Sequence, residues 1–144
     1  SHNPDDLLRL TAELEAGADV AVGSRYSKGV TVVNWPMSRL LMSYCASRYV
    51  RIVTGMPVCD ATAGFVGYKR EVLAAIDFDR IEMVGYGFQI EMKYTAWKMG
   101  FRIGEVPIIF ADRTEGTSKM SGGIFGEAFF GVLALPFRTI ARKK

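Results

Sequence analysis

The sequence predicts an α/β domain in which helices cover both faces of a parallel or mixed sheet. Helical stripes of apolar residues alternate along the chain with short apolar runs. The run at 18–26, ADVAVGSRY, is apolar on both faces, which is typical of a strand buried on both sides. We expect three or four strands, which is few for a complete enzyme sheet. The 144 residues suit one domain with its own core.

Two predicted helices flank that strand in the first half of the chain. Asn3 is a capping residue and Pro4 suits the first helical position, so a helix begins there and ends at Gly17. Residues 27–33 have the composition of a loop. A second, amphipathic helix covers 34–55 and ends at its last residue, a glycine. Its predicted apolar side consists of Leu40, Leu41, Tyr44, Cys45, Tyr49, Ile52 and Val53.

The second half continues the alternation of helices and strands. Short helices are predicted over 71–76 and 88–100. A strand follows over 101–113, and Pro107 within it indicates a sheet edge or a bulge because proline lacks the N–H that a ladder needs. The segment 122–144 is predicted to form one amphipathic helix with a basic end.

Composition excludes several classes of protein and site. The net charge of +3 is mild and does not demand a nucleic-acid partner, and no apolar run reaches the ~18 residues of a membrane span. His2 is the only histidine, which excludes a histidine-based catalytic triad and a multi-histidine metal site. Cys45 and Cys59 form neither a disulfide framework nor a metal spacing, and we expect both to be reduced thiols in the core.

Polar residues stand where two predicted strands meet loops, which is where open α/β sheets bind ligands. Ser24 and Arg25 end the first strand, and Asp60 directly precedes the small residues 62–64. These small side chains would let another molecule approach the backbone closely. Taken singly, Arg25 is better explained as a surface arginine and Asp60 as a turn aspartate.

Two further groups of polar residues belong to a loop and a helix start. Arg113, Ser118 and Lys119 lie in a glycine-bearing loop that could close on a phosphate, although a solvated loop explains the composition equally well. Gln89 and Glu91 are placed in the first turn of the helix over 88–100, where an acid is commonly a partner of the helix dipole.

Four segments, in this order and spacing, resemble one enzyme family. They are VGSRY (22–26), NWPMSRLL (34–41), VCDATAGFVGYKREVL (58–73) and GYGFQIEMKYTAWKMGFRIGEVPIIFADRTEGTSKMS (85–121). The series resembles the polyprenyl-phosphate (dolichyl-phosphate-type) mannosyl- and glucosyltransferases, which are inverting glycosyltransferases of the GT-A fold. The resemblance extends from about residue 1 to about residue 128, and its most specific part is FQIEM followed by the DR and SKMS segments.

The resemblance implies that the chain is the C-terminal, acceptor-side part of such a catalytic domain, over 1–128. The family's nucleotide-binding half and its Asp-x-Asp motif, which holds Mg²⁺ or Mn²⁺, do not occur in the sequence. Ser1 would stand where the family often has a metal-ligating glutamine. Since the chain opens without methionine, we expect either cloning residues at Ser1 and His2 or a piece of a longer protein. The isolated chain is then expected to be inactive.

The resemblance also implies roles for individual residues. Asp60 would be the acidic group of the cleft, orienting the acceptor or acting as base. The phosphate of the lipid acceptor would contact Arg25 and Arg39, with Ser43 as a weaker candidate. The donor diphosphate would contact Arg113, Ser118 and Lys119. The residues implied to line the cleft are Thr62, Ala63, Gly64, Gln89 and Glu91.

The implied partners are a nucleotide sugar, a polyprenyl phosphate and a membrane surface, with no nucleic acid. The implied location is cytoplasmic and peripheral, at the inner face of the membrane. Without the missing half, strands would become open edges, so a homo-oligomer is expected, with the strand at 18–26 most exposed. Two alternatives remain: a non-catalytic half-domain that binds a partner or a membrane, and an α/β domain whose loops have no ligand.

Overall fold

The computed structural model describes residues 4–29, 31–33, 36–111, 122–138 and 140–141, and it confirms the predicted α/β class. Within these ranges a mixed three-stranded sheet is flanked by helices, and two short strands form a second ladder. The helices are α1 (Pro4–Glu15), α2 (Met37–Thr54), α3 (Arg70–Ala75), α4 (Tyr86–Lys98) and α5 (Gly122–Ala134). The strands are β1 (Val20–Ser24), β2 (Val32–Val33), β3 (Val66–Tyr68), β4 (Ile103–Pro107) and β5 (Phe110–Ala111).

Strand β1 is the centre of the larger sheet. It pairs antiparallel with β3 and parallel with β4, and all five of its residues are buried. Ala21 packs with Leu10 of α1, whereas Val20 and Val22 pack with Val72 and other residues on the opposite face. Burial on both faces confirms the interpretation of its apolar run. The expectation that β1 would be an open edge is wrong, because β3 and β4 occupy both of its sides.

The predicted strand over 101–113 is divided after Pro107. The first part, β4, ends opposite Ser24 and lies at an edge of the described sheet, as the proline indicated. The second part, β5, leaves that sheet and pairs in parallel with β2. Residues 27–33 are therefore not entirely a loop, since they contain β2. A two-residue strand depends on its partner and has no periodicity of its own to reveal it.

Helix α2 ends as predicted, but only part of its predicted apolar side, including Tyr49 and Val53, packs against the core. Gly55 has φ 75°, and its N–H donates to Arg51 O, which gives the helix a left-handed cap. Leu41 and Ile52 of the predicted apolar side are 54% and 76% exposed. Cys45 is also exposed, so the expectation that it is a core thiol is wrong. The residues of α2 that are buried are Ser47, Val50 and Thr54.

The C-terminal segment is not one helix over 122–144. Helix α5 ends at Ala134, and a 3₁₀ turn over Leu135–Phe137 contains Pro136. Helices α2 and α5 are joined by the stacked rings of Tyr49 and Phe129, whose centroids are 4.6 Å apart. Among the residues described here, no helix combines the length and apolarity that a membrane span requires.

Candidate functional site

Arg25 and Asp60 form a buried ion pair beyond the C-terminal end of β1. Arg25 Nε donates to Asp60 Oδ2 at 2.7 Å, and Arg25 Nη2 donates to Asp60 Oδ1 at 2.6 Å. The backbone N–H of Arg25 also donates to Oδ2, at 2.9 Å. Asp60 is completely buried and Arg25 nearly so. A two-point contact of this kind sets the orientation of the guanidinium plane as well as its position.

Close backbone packing brings the two residues together. Gly23 precedes the pair in β1, and its N–H donates to Phe65 O at 2.8 Å. A Cβ at Gly23 would lie 2.7 Å from Ile108 Cδ1 and 3.2 Å from Phe65 O, so only glycine fits without a shift. The strand end carrying Arg25 is thus held directly against the segment that follows Asp60.

A cleft of about 330 Å³ lies between α2, α4 and α5, beside this pair. Arg25, Arg39, Ser43 and Thr62 supply polar groups to its wall. Thr62 Oγ1 accepts from Arg25 Nη2 at 3.0 Å, and Ser43 Oγ accepts from the hydroxyl of Tyr26 at 2.8 Å. The remaining wall is formed by Met42, Cys45, Ala46, Tyr49, Val50, Tyr86, Ile90, Ala128, Phe129 and Val132.

The electrostatics of the pair bear on what Asp60 can do. Burial lowers the pKa of Arg25, but the hydrogen bond and the charge of Asp60 outweigh it, so the pKa is raised overall. Both carboxylate oxygens of Asp60 already accept hydrogen bonds from Arg25. A general base must present an oxygen to the substrate's proton. The geometry therefore favours an orienting role for Asp60, acting through Arg25, over the role of base.

Two charged side chains that sequence reasoning missed hold the loop over 59–63. Lys93 of α4 is completely buried, and its Nζ donates to Ala63 O at 2.7 Å and to Ala61 O at 3.1 Å. Glu105 of β4 accepts from the N–H of Cys59 at 2.8 Å. A signal was present for Glu105, which is a lone acid within an otherwise apolar strand. No comparable signal marks Lys93, because the other lysine of its helix, Lys98, is exposed as lysines usually are.

The residues predicted to line the cleft are not all at the cleft found here. Thr62 borders it, whereas Ala63 packs in the core with Val20 and its neighbours. Gly64 is exposed, and a Cβ placed on it would lie 3.9 Å from Gln89 Nε2, so these two residues adjoin one another outside the cleft wall.

Glu91 is buried, and its carboxylate accepts hydrogen bonds from the segment before α4 and from the segment after α5. It lies in the second turn of α4 rather than the first, since the helix begins at Tyr86. Its Oε1 accepts from the N–H groups of Glu82 and Met83 at 3.1 and 3.0 Å, and its Oε2 accepts from Arg138 Nη2 at 3.3 Å. Tyr86, the first residue of α4, is exposed and borders the cleft.

The remaining predicted site residues lie outside the described part of the chain. These are Ser1, for the metal, and Arg113, Ser118 and Lys119, for the donor diphosphate. Within the described residues, no three His, Cys, Asp or Glu side chains are grouped as a metal site requires. These described residues therefore do not by themselves provide a site for the expected Mg²⁺ or Mn²⁺.

Comparison with curated proteins identifies relatives of the chain. It is 48% identical over 132 residues, 92% of its length, to a polyprenol monophosphomannose synthase of Mycolicibacterium smegmatis and an undecaprenyl-phosphate mannosyltransferase of Micrococcus luteus. The chain is homologous to the polyprenyl-phosphate mannosyltransferases. This homology confirms the resemblance seen in the motifs. A dolichol-phosphate mannosyltransferase of Pyrococcus furiosus is 33% identical over 123 residues, 84% of this chain.

The match covers only part of each relative. It spans 50% of the M. smegmatis protein, 54% of the M. luteus protein and 34% of the P. furiosus protein. The chain thus spans about half the length of the first two relatives and about a third of the third. No family model matches the chain. Within the described residues, the mixed sheet flanked by helices agrees with the α/β fold class that the motif resemblance implies.

Proposed function

We propose that this chain is the acceptor-phosphate-binding part of a hexosyltransferase. The complete enzyme transfers mannose or glucose from a nucleotide sugar to a polyprenyl phosphate, with inversion at the anomeric carbon. The names of the three relatives support the reaction class. The observation that carries the proposal is the cleft, where Arg25, Arg39 and Ser43 adjoin an otherwise apolar wall.

The cleft suits a ligand with an anionic head and a hydrocarbon chain. Its polar wall offers guanidinium and hydroxyl groups, which are the usual partners of phosphate. Its apolar wall, with Ile90, Val132 and aromatic rings, offers burial to hydrocarbon. Arg25, which Asp60 holds in place, supplies an oriented donor, and Arg39 supplies a second guanidinium to the same wall.

The proposed reaction is a single displacement. An oxygen of the acceptor phosphate attacks the anomeric carbon, the new C–O bond forms, and the nucleoside diphosphate leaves with the electrons of the broken bond. A phosphate monoester is already an anion at neutral pH, so it needs little help from a base. The main requirement is positive charge that holds two anions together. This agrees with the geometry of Asp60, because both of its carboxylate oxygens accept hydrogen bonds from Arg25.

The donor side of the reaction belongs to the complete protein. There, Arg113, Ser118 and Lys119 are proposed to contact the donor diphosphate, and Mg²⁺ or Mn²⁺ is proposed as the cofactor. We further propose a peripheral location at the cytoplasmic face of a membrane, where the lipid acceptor presents its phosphate, and a homo-oligomeric state. The proposed self-association would use the edge strands β3 or β4, since β1 is interior.

The test compares a phosphate with the matching alcohol. Farnesyl phosphate and farnesol are titrated into the 144-residue chain by calorimetry, and we expect the phosphate to bind at least about tenfold more tightly, as a charge-assisted contact implies. Arg39→Ala should remove most of that difference. Arg48→Ala is the matched control, because Arg48 lies on the same helix and is exposed. Equal binding of phosphate and alcohol would contradict the proposal.

A second arm measures activity in the complete protein. Transfer of hexose from GDP-mannose or UDP-glucose to a polyprenyl phosphate is expected from the complete protein and not from the 144-residue chain. If the chain prefers the phosphate but the complete protein transfers no sugar, the alternative of a non-catalytic binding module is favoured instead.

A further inference from the structure

The loop over 59–63 is held from two sides by charged groups of opposite sign. Glu105 accepts from its first N–H groups, those of Cys59 at 2.8 Å and Asp60 at 3.3 Å. Lys93 donates to its later carbonyls, those of Ala61 and Ala63. Lys93 Nζ also donates to Gln89 O, at 3.3 Å, within its own helix. The loop backbone is therefore bonded on both sides of Thr62.

A fully buried lysine needs a reason. Moving an ammonium group out of water is unfavourable by several kcal/mol, and a well-packed apolar side chain of similar volume often serves the fold as well or better. Lys93 is 0% exposed and is among the largest fully buried side chains of the described chain. Its Nζ binds three backbone carbonyls rather than a carboxylate, so its position is defined by the course of the loop.

We propose that Lys93 and Glu105 are positioning residues for the acceptor-phosphate site. By fixing the loop over 59–63, they place the carboxylate of Asp60 and the hydroxyl of Thr62. These two groups in turn orient the guanidinium of Arg25. Neither Lys93 nor Glu105 borders the cleft, so both act through other residues. This inference rests on the proposed function, because it assigns the loop to the binding of the acceptor anion.

The charges around Lys93 make anion binding in the cleft depend on whether Lys93 is protonated. The charged groups that face Lys93 are Asp60 of the loop, Arg25 after β1 and Glu105 of β4. With Lys93 protonated, two cations face two anions and the group is neutral. Burial lowers the pKa of Lys93 to about 7, against the attraction of Asp60. Loss of its proton leaves the group with one net negative charge, which disfavours a second anion in the cleft.

The experiment uses Lys93→Met and Glu105→Gln in the 144-residue chain, each of which keeps the approximate side-chain size. Lys98→Met and Glu15→Gln are the matched controls, since both residues are exposed. The first readout is hydrogen exchange at the amides of Cys59 and Asp60. We expect exchange in the two test variants to be about tenfold faster or more, the effect of losing one charge-assisted hydrogen bond. The amides of β1 should be unaffected.

The second readout is the preference for farnesyl phosphate over farnesol at pH 6 and pH 8. A role confined to stability would weaken both ligands alike, whereas a positioning role reduces the phosphate preference, here by about tenfold. As pH rises from 6 to 8, wild type should lose part of its preference for farnesyl phosphate over farnesol. Lys93→Met should not lose it. If Lys93→Met does not fold, as shown by its circular dichroism, Glu105→Gln alone decides both readouts.

Three results would overturn the proposal. The first is unchanged amide exchange at 59 and 60 in both variants. The second is faster exchange with an unchanged phosphate preference, which would leave a loop clamp without a positioning role. The third is a wild-type chain that binds farnesyl phosphate no better than farnesol, in which case the proposed function fails too. The last failure is distinguishable because it occurs in the wild type, whereas the others occur only in variants.

Discussion

Arg25 Nη2 lies 2.6 Å from Asp60 Oδ1, and its Nε lies 2.7 Å from Oδ2, so the two side chains meet in a fork within the protein interior. The pair connects the end of β1 to a loop 35 residues further along the chain. Because Asp60 holds the guanidinium before any ligand arrives, less side-chain entropy is lost when an anion binds. The pair therefore contributes to both the fold and the proposed phosphate site.

The first prediction concerns the strength of this pair in the folded chain. Arg25→Ala and Asp60→Ala should each destabilise the chain by about 3–5 kcal/mol, because each removes one partner of a buried ion pair. The double variant should be destabilised by much less than the sum, which denaturant unfolding would show as a coupling energy. The control cycle uses Asp19 and Lys69, a part-exposed pair 3.8 Å apart, where coupling should not exceed about 1 kcal/mol. Equal coupling in the two cycles would contradict the prediction.

The second prediction separates acceptor use from donor binding in the complete protein. Asp60→Asn replaces an acceptor oxygen by an amide N–H, which opposes one of the two bonds from Arg25. We expect turnover to fall by about tenfold or more, while the affinity for the nucleotide sugar is nearly retained. Steady-state kinetics with each substrate varied in turn would measure both effects. A wild-type rate for Asp60→Asn would remove Asp60 from the site.

Sequence reasoning predicted the elements whose signals are local. β1 could be predicted because five consecutive small and apolar residues suit a strand covered on both faces, and the end of α2 because Gly55 takes a left-handed cap. The Arg25, Arg39 and Ser43 group was implied by motif resemblance, and the structure places all three on one cleft.

The missed features depend on partners distant in the sequence. The buried side of α2 was predicted only in part, because apolar periodicity does not say how much of a face is covered by other elements. Tyr49 and Val53 pack against the core, whereas Ile52 remains exposed. The two-residue β2 exists because β5 pairs with it. Lys93 was missed because a charged residue on a helix is normally exposed, and only the loop carbonyls above it explain its burial.

The third prediction tests the close approach at Gly23. A methyl group there would lie 2.7 Å from Ile108 Cδ1 and within 3.2 Å of both Phe65 Cδ2 and Phe65 O, so side chains and backbone must shift. Gly23→Ala should destabilise the chain by about 1–3 kcal/mol. Gly126→Ala is the control, since no atom of the described residues lies within 4 Å of its added Cβ and alanine favours a helix by up to about 1 kcal/mol. Thermal unfolding measures the stability of the two variants against that of wild type. If Gly23→Ala is as stable as wild type, the close packing at Gly23 is contradicted.

The fourth prediction follows from the lowered pKa of Lys93, which is about 7 in the folded chain against an ordinary value of 10.5. Between these values the unfolded chain binds a proton that the folded chain does not, so stability rises with pH, by at most about 1.4 kcal/mol per pH unit for one proton. The contribution is fully present above 10.5 and is lost as pH falls through 7. The free energy of unfolding of wild type minus that of Lys93→Met should therefore increase from pH 7 to pH 9.5. Parallel curves would show that Lys93 keeps its ordinary pKa.

The last prediction concerns binding to a membrane surface by the C-terminal segment. Phe130, whose ring contacts Phe129 of the cleft wall, is 69% exposed, and Phe137 in the turn after α5 is 91% exposed. Inserting each ring into the interfacial region would contribute up to about 1.5–3 kcal/mol. Phe130→Ser and Phe137→Ser should therefore reduce flotation with both neutral and anionic liposomes. Phe78→Ser is the control, because Phe78 is exposed in a different turn.

The electrostatic part of this membrane contact should come from the end of the chain rather than from Arg138. Arg138 Nη2 lies 3.3 Å from Glu91 Oε2 and 3.5 Å from Glu82 Oε2, so its charge is already balanced. Deleting residues 142–144 should reduce flotation with anionic liposomes alone, by about 1 kcal/mol for each basic residue near the surface. Arg138→Ala should leave the dependence on lipid charge unchanged. Flotation that ignores lipid charge, or that survives the deletion, would eliminate the electrostatic part and leave the exposed rings as the membrane contact.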